Sequence, residues 1–325
     1  MRVLVTGGCG FIGSHLVEAL LARGDAVTVL DDCSTGSLRN LAAVADHPAL
    51  QVVVGSVCDE LIVDECCMQA RPELVVHLAA AVGVKRILER QVASIVTNVR
   101  GTEIVLRAAA QCGAARVLLA STSEVYGKQD RVPFREDDDA VLGSTSLHRW
   151  SYAASKMLDE FLALAWHRER GLPVTVLRFF NITGPRQSPA YGMVLPRFCA
   201  AAVRDGILEV HGDGQQTRTF LHVADAVRAV LALAACATAV GRVVNVGGSE
   251  EISILALAER VRAMAGGGRI ALVPYERAYP AGFEDMRRRV PDVGRLRELT
   301  GWTASYSLAA IIADALADAR ARLSG

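Results

Sequence analysis

A glycine-rich loop set between a strand and a helix constrains this chain more than any other feature. The apolar run Arg2–Thr6 has strand length and passes into Gly7-Gly8-Cys9-Gly10-Phe11-Ile12-Gly13. An apolar pattern with helical spacing then covers Phe11–Arg23, and Gly24 closes it. Glycines at positions 7, 10 and 13 permit a tight turn, close approach of the backbone to a pyrophosphate, and packing of helix on strand. The next strand, Ala26–Leu30, ends at Asp31, which lies 18 residues past Gly13. A carboxylate there accepts both hydroxyls of a ribose and repels a 2′-phosphate, so NAD is expected over NADP.

The β–α alternation continues. Short β-rich runs recur at Gln51–Val54, Leu74–Leu78, Val117–Ala120 and Val174–Phe179, with helical patterns over Leu61–Gln69, Ile95–Cys112 and Tyr152–Arg168 between them. Parallel strands need such crossovers, so the expected class is α/β, a Rossmann-type doubly wound parallel sheet. After about Asn181 the pattern changes. Pro185, Pro189 and Pro196 punctuate a loop-rich stretch, followed by helices predicted over Arg197–Asp205 and Val223–Ala235 and a strand over Val243–Val246. This predicts a cofactor domain of residues 1–181 with 221–248 returning to it, and a smaller C-terminal α/β substrate domain from 182–220 and 249–325.

Composition sets the outer limits. Hydrophobic residues make up 51% of the chain, which excludes a disordered one. Thirty-five basic residues balance 35 acidic ones, leaving no basic excess for a nucleic-acid footprint. The eight cysteines show no CxxC or Cys/His spacing of a zinc site, so no metal is expected and free thiols in a reducing compartment are. The chain opens directly on a strand without a targeting segment, and charges at Asp225 and Arg228 interrupt the long apolar stretch Ala224–Val240. A cytoplasmic protein without a membrane span is the expectation.

Tyr152 and Lys156 are four residues apart on a predicted helix and share a face. A phenol of ordinary pKa near 10 is a poor base at neutral pH, but a neighbouring ammonium favours the phenolate. Only three basic residues are lysines (Lys85, Lys128 and Lys156), so a lysine here stands where arginine is the default. A compact point charge suits contact with both a ribose and a phenol.

Several motifs together resemble the extended short-chain dehydrogenases/reductases of the nucleotide-sugar epimerase/dehydratase/decarboxylase group. They are TGGCGFIGSH at 6–15, LDDCSTG at 30–36, HLAA at 77–80, NVRGT at 98–102, STSEVYG at 121–127, YAASK at 152–156 and RFFNITGPR at 178–186. The resemblance covers nearly the whole chain. It implies a cofactor site built from Gly7, Gly10, Phe11, Ile12, Gly13, Asp31, Asp32, Ser34, Thr35, Gly36, Ser56, Val57, Leu78, Ala79, Ala80, Lys85, Asn98, Ala120, Tyr152, Lys156 and Phe179. Ser56 departs from the aspartate often found there, which puts one adenine contact in question. Lys85 matches a lysine on the cofactor phosphates, with a solvated surface lysine as its alternative.

The same resemblance implies transient oxidation of a sugar at C4, with Tyr152 as proton acceptor, Lys156 beside it and Thr122 sharing the hydrogen-bond network. Ser123 and Glu124 complete the catalytic set. Glu124 stands where dehydratases and UDP-glucuronate decarboxylases carry a glutamate, or is a carboxylate with no chemical role. On the substrate side the resemblance points to Thr122, Asn181, Arg186, Val194, Leu195, Arg218, Asp285 and Arg288, with Arg186 near the sugar and free to meet a C6 carboxylate, or else tied in a surface ion pair. The expected activity is UDP-sugar 4-epimerisation on UDP-glucuronate; UDP-glucuronate decarboxylation and NDP-sugar 4,6-dehydration are the alternatives. A homodimer through the helices near 95–112 and 152–168 is expected. A catalytically silent sensor on the same fold would lack the tyrosine or the lysine, and both are present.

Overall fold

A computed structural model describes residues 1–83, 90–279, 284 and 286–324. Its centre is a seven-stranded, wholly parallel sheet. The strands are β1 (Arg2–Thr6), β2 (Ala26–Asp31), β3 (Leu50–Val54), β4 (Leu74–His77), β5 (Arg116–Thr122), β6 (Val174–Phe179) and β11 (Val243–Val246), in the order β3-β2-β1-β4-β5-β6-β11. The crossover helices are α1 (Phe11–Ala22), α2 (Glu60–Ala70), α3 (Gln91–Gln111) and α4 (Ser151–Arg170), and α6 (Val223–Ala235) precedes β11. The expected doubly wound α/β architecture is present.

Parallel strands with helices on both faces read as unbroken apolar runs, because neither face meets water. Along β1, Val3 and Val5 enter one core with Leu16, Leu20, Val29 and Val230, while Leu4 enters the other with Val75, Ile104 and Val176. Strand order reverses between β1 and β4, and a crevice opens beyond the carboxyl ends of these strands.

The smaller lobe has its own core, in which Phe198, Leu208, Leu257 and Ile312 are buried. It contains α5 (Val194–Ala202), the parallel pair β8 (Ile207–His211) and β13 (Arg269–Val273), α7 (Ile254–Ala265) and α10 (Leu308–Ser324). A separate three-stranded sheet joins β12 (Glu251–Ser253), β9 (Thr217–Thr219) and β14 (Arg288–Arg289), and β7 (Ile182–Thr183) pairs with β10 (Leu221–His222). Two further short helices are α8 (Tyr275–Ala278) and α9 (Gly294–Thr300). One prediction is displaced: the helix expected over Arg197–Asp205 is α5, which starts three residues earlier. Pro196 falls in its first turn, where the missing N–H has no intrahelical partner to lose.

Candidate active site

The glycine loop takes the conformation its composition requires. Gly7 has φ +74°, and a side chain there would meet the Ala79 amide nitrogen at 2.7 Å. A Cβ on Gly13 would collide with the Gly7 carbonyl oxygen. Helix α1 begins at Gly10 without a side-chain cap, so the N–H groups of its first turn remain for a ligand. At the tip of β2, Asp31 is 7% exposed. It accepts the Cys9 amide at 2.9 Å and the Cys33 amide at 2.7 Å.

One cleft is lined by Gly7, Gly10, Phe11, Ile12, Gly13, Asp31, Asp32, Ser34, Thr35, Val57, Leu78, Ala79, Ala80, Ala120, Tyr152, Lys156 and Phe179. A glycine cradle, an uncapped helix N-terminus and a carboxylate at the end of β2 match the phosphates and ribose of a dinucleotide. Three expected members sit elsewhere. Gly36 lies under the loop, where a Cβ would meet the Cys9 carbonyl oxygen at 2.6 Å. Ser56 does not line the cleft; its hydroxyl accepts the Cys58 amide at 3.2 Å in the turn before α2. Asn98 is buried behind the wall, accepting from the Ala81 amide (2.9 Å) and donating to the Ser155 hydroxyl (3.0 Å). Lys85 lies outside the described residues. Thr97 and Asn40 line the cleft and were not expected.

A second cleft meets the first at Thr122, Tyr152, Tyr191 and Met193. Tyr152 and Lys156 stand one turn apart on α4, and Tyr152 hydrogen-bonds Thr122 at the end of β5. Burial pushes the Tyr152 phenol above its ordinary range, and the Glu124 and Asp159 carboxylates push the same way. The expected relief from Lys156 is blunted because its ammonium donates to Asp159 at 2.7 Å, with Asp159 wholly buried. Behind this pair His77 bridges the hydroxyls of Thr6 (2.6 Å) and Thr102 (3.2 Å). Burial, helped by the Lys156 charge, lowers the His77 pKa to about 3 and keeps the ring neutral.

Glu124 shapes the second cleft. Arg149 approaches one carboxylate oxygen at 2.5 Å and Arg289 the other at 2.6 Å. Burial works against its charge, yet the two guanidiniums hold the pKa down at about 2. Both oxygens are engaged and the group stays ionised, so in this arrangement Glu124 is an anchor for two cations and a poor proton shuttle. Ser123 is 1% exposed and contributes no surface to either cleft.

Asn181, Val194 and Arg218 line the second cleft as expected. Asn181 donates to the Thr219 carbonyl at 2.9 Å, and Arg218 donates to the Met286 carbonyl at 2.8 Å. Leu195, Arg186 and Arg288 are placed away from the second cleft. Leu195 points into the core of the small lobe, since the first turn of α5 turns Val194 outward and Leu195 inward. Arg186 lies on the cofactor side: it grips Glu18 of α1 at 2.6 and 2.8 Å and Ser14 at 3.1 Å. Arg288 is exposed and paired with Glu251 at 2.8 Å, outside the cleft. Asp285 lies outside the described residues.

The residues missed are Arg149 and Arg289, with Arg197 and His211 further along the same wall. Strand parity separates Arg288 from Arg289. In β14, Arg289 is level with Arg218 and Arg288 with Thr217, and successive side chains leave a strand on opposite faces. The run Arg287-Arg288-Arg289 was the available signal, but its register could not be read without the partner strand.

Fold and site define an α/β dinucleotide-binding enzyme with a cationic second cleft against a half-buried tyrosine. The chain belongs to the NAD dependent epimerase/dehydratase family, whose model matches residues 3–247. It is 43% identical over 300 residues, 92% of this chain and 91% of the relative, to the UDP-N-acetyl-alpha-D-glucosaminuronate decarboxylase of Bacillus cytotoxicus. It is 33% identical to UDP-glucuronic acid decarboxylase 1 of Arabidopsis thaliana, over 99% of this chain and 71% of that one. Among solved structures, the UDP-glucuronic acid 4-epimerase of Bacillus cereus, in complex with UDP-glucuronic acid and NAD, superposes with a TM-score of 0.88 at 26% identity, covering 99% of this chain and 100% of that one. NAD is therefore the cofactor, and the chain is an NAD-dependent nucleotide-sugar enzyme. No helix among the described residues is long and apolar enough to cross a membrane.

Proposed function

We propose that the enzyme decarboxylates a UDP-linked uronic acid by way of a transient 4-keto sugar. The observation that carries this reading is the pair Arg149 and Arg289, converging on Glu124 in the cleft that also holds Tyr152. Arg149, Arg218 and Arg289 all line this cleft, and guanidinium forks of this kind suit recognition of a carboxylate such as the C6 group of a uronate. The two decarboxylase relatives support this over the 4-epimerisation expected from sequence.

NAD held by the glycine loop and Asp31 supplies a hydride acceptor at C4 and later a hydride donor. Tyr152 takes the O4 proton while Thr122 fixes the phenol, and Lys156 supplies the adjacent positive charge. A ketone at C4 makes the C6 carboxylate a β-keto acid. Its C5–C6 bond breaks, carbon dioxide leaves, and the electron pair is held as an enolate at C4–C5 until C5 is protonated. Arg149 and Arg289 hold the carboxylate before it leaves. A Glu124 clamped as an anion is unsuited to the acid–base work of dehydration, which supports decarboxylation over 4,6-dehydration.

Asn181 and Arg218 are assigned to the diphosphate, and Val194 to the nucleotide end of the cleft. We also assign a homodimer, because α3 and α4 pack together and leave Val92, Ile95, Val96, Leu158 and Phe161 exposed.

The test is incubation of the purified enzyme with UDP-glucuronate and UDP-N-acetylglucosaminuronate, each labelled with 13C at C6, followed by NMR. Release of labelled bicarbonate with formation of a UDP-pentose supports the reading. A C4 epimer that keeps its labelled carboxylate would overturn it in favour of 4-epimerisation.

A further inference from the structure

We propose that Cys9, Cys33 and Asp31 form a binding site for a thiophilic divalent cation of the Zn2+ type, and that the ion and the ribose of NAD exclude one another. The two thiol sulfurs and a carboxylate oxygen of Asp31 all lie within 4.8 Å of one another. Zinc bonds of about 2.3 Å to sulfur and about 2.1 Å to oxygen put tetrahedral ligands roughly 3.5–3.8 Å apart, within reach of side-chain motion alone. A disulfide would require the sulfurs to close to about 2 Å, a larger movement.

The donor set suits a soft-to-borderline ion: two sulfurs, one carboxylate oxygen and an open fourth position for water. Each oxygen of Asp31 accepts one backbone N–H, from Cys9 and from Cys33, so each retains a lone pair for a metal. Those amide bonds pin the carboxylate, and Cys33 holds its own with a left-handed φ of +56°. Cys9 is wholly buried and Cys33 half-buried at the rim. The fold makes this cluster where sequence spacing shows none, because β1 and β2 pair in parallel and bring residues just past their ends together.

Binding is an exchange: the cation enters, two thiol protons leave, and two thiolates with one carboxylate coordinate it. Neither cysteine side chain lines the cofactor cleft, whereas Asp31 does. An ion that engages Asp31 therefore withdraws the acceptor for the ribose hydroxyls without filling the glycine loop. Competition then runs equally both ways, since coupling between two ligands is reciprocal.

The test is a titration of the full-length enzyme with zinc chloride against a chromophoric chelator, with and without saturating NAD. The expected result is one zinc per chain, about two protons released per ion in weak buffer, and an apparent zinc affinity at least about ten-fold lower with NAD present. Cys33→Ser and, independently, Cys9→Ala should each weaken zinc by about ten-fold or more while NAD affinity stays within about two-fold. Either variant suffices if the other misfolds. Zinc affinity that ignores NAD, or that survives both substitutions, overturns the proposal.

Discussion

Lys156 donates to Asp159 across 2.7 Å, and both side chains are almost wholly withdrawn from water. The lysine one turn from the Tyr152 phenol thus comes with its own counter-ion, three residues along the same helix. Behind the pair lies Thr102, whose hydroxyl meets His77 at 3.2 Å. The site therefore sets the charge next to Tyr152 by a balance of lysine against aspartate.

That balance can be shifted. In Asp159→Asn the lysine charge is no longer offset, and one of the carboxylates that raise the Tyr152 phenol is gone. The rising, acidic limb of kcat/KM against pH, which reports the phenol's ionisation, should move to lower pH than in the wild type. Removing one partner of a buried ion pair should also cost about 3 kcal/mol of stability, read by urea denaturation. A pH profile that does not move would show that Asp159 acts on stability alone.

Arg289 and Arg288 are neighbours in β14 with opposite surroundings. Arg289→Gln should reduce kcat/KM on a uronate substrate by about ten- to a hundred-fold, the worth of one charge-assisted hydrogen bond. Arg288→Gln removes only an exposed pair with Glu251 and should stay within about two-fold, since such pairs contribute little. Steady-state kinetics on both variants checks the assignment. Equal losses would place the substrate carboxylate elsewhere.

The Glu124 clamp has a consequence for acid stability. Its folded pKa of about 2 lies below the ordinary 4.5. A depressed carboxylate stabilises the fold fully above its unfolded value and loses that contribution as pH falls through the folded one. The difference corresponds to about 3 kcal/mol, lost between roughly pH 4.5 and pH 2. Glu124→Gln should be less stable than the wild type at pH 7 and should lack this part of the decline. Urea midpoints at pH 7, 4 and 3 for both proteins measure it.

Much of the sheet was legible because buried parallel strands and their glycine punctuation are local signals. The strand Arg2–Thr6, the helix Val223–Ala235 and the strand Val243–Val246 begin and end where the apolar runs do. The cofactor side was legible for the same reason, since the glycine loop and Asp31 follow directly from β1 and β2. The substrate side was not. Arg149 precedes α4 and Arg289 lies in a two-residue strand, and only the paired β9–β14 register brings Arg289 to Glu124. Arg186 takes the ion-pair alternative, gripping α1 through Glu18, a partner 168 residues away in sequence that no local pattern could name. The Cys9–Cys33 cluster escaped for a related reason, because its residues converge from two strands rather than from one short motif.

Tyr152 is the group whose loss should separate chemistry from binding. Tyr152→Phe keeps the ring against the cleft wall but removes the hydroxyl that bonds Thr122 and that is proposed to take the O4 proton. Loss of a general base typically costs about 10²- to 10⁴-fold, so kcat should fall by that amount. The glycine loop and Asp31, which line the proposed cofactor cleft, are untouched, and NAD should bind within about three-fold of the wild type. Single-turnover kinetics should show that the slow step is oxidation at C4, with no build-up of reduced cofactor. Turnover near the wild-type rate would remove Tyr152 from the proton path and leave Thr122 or solvent to fill it.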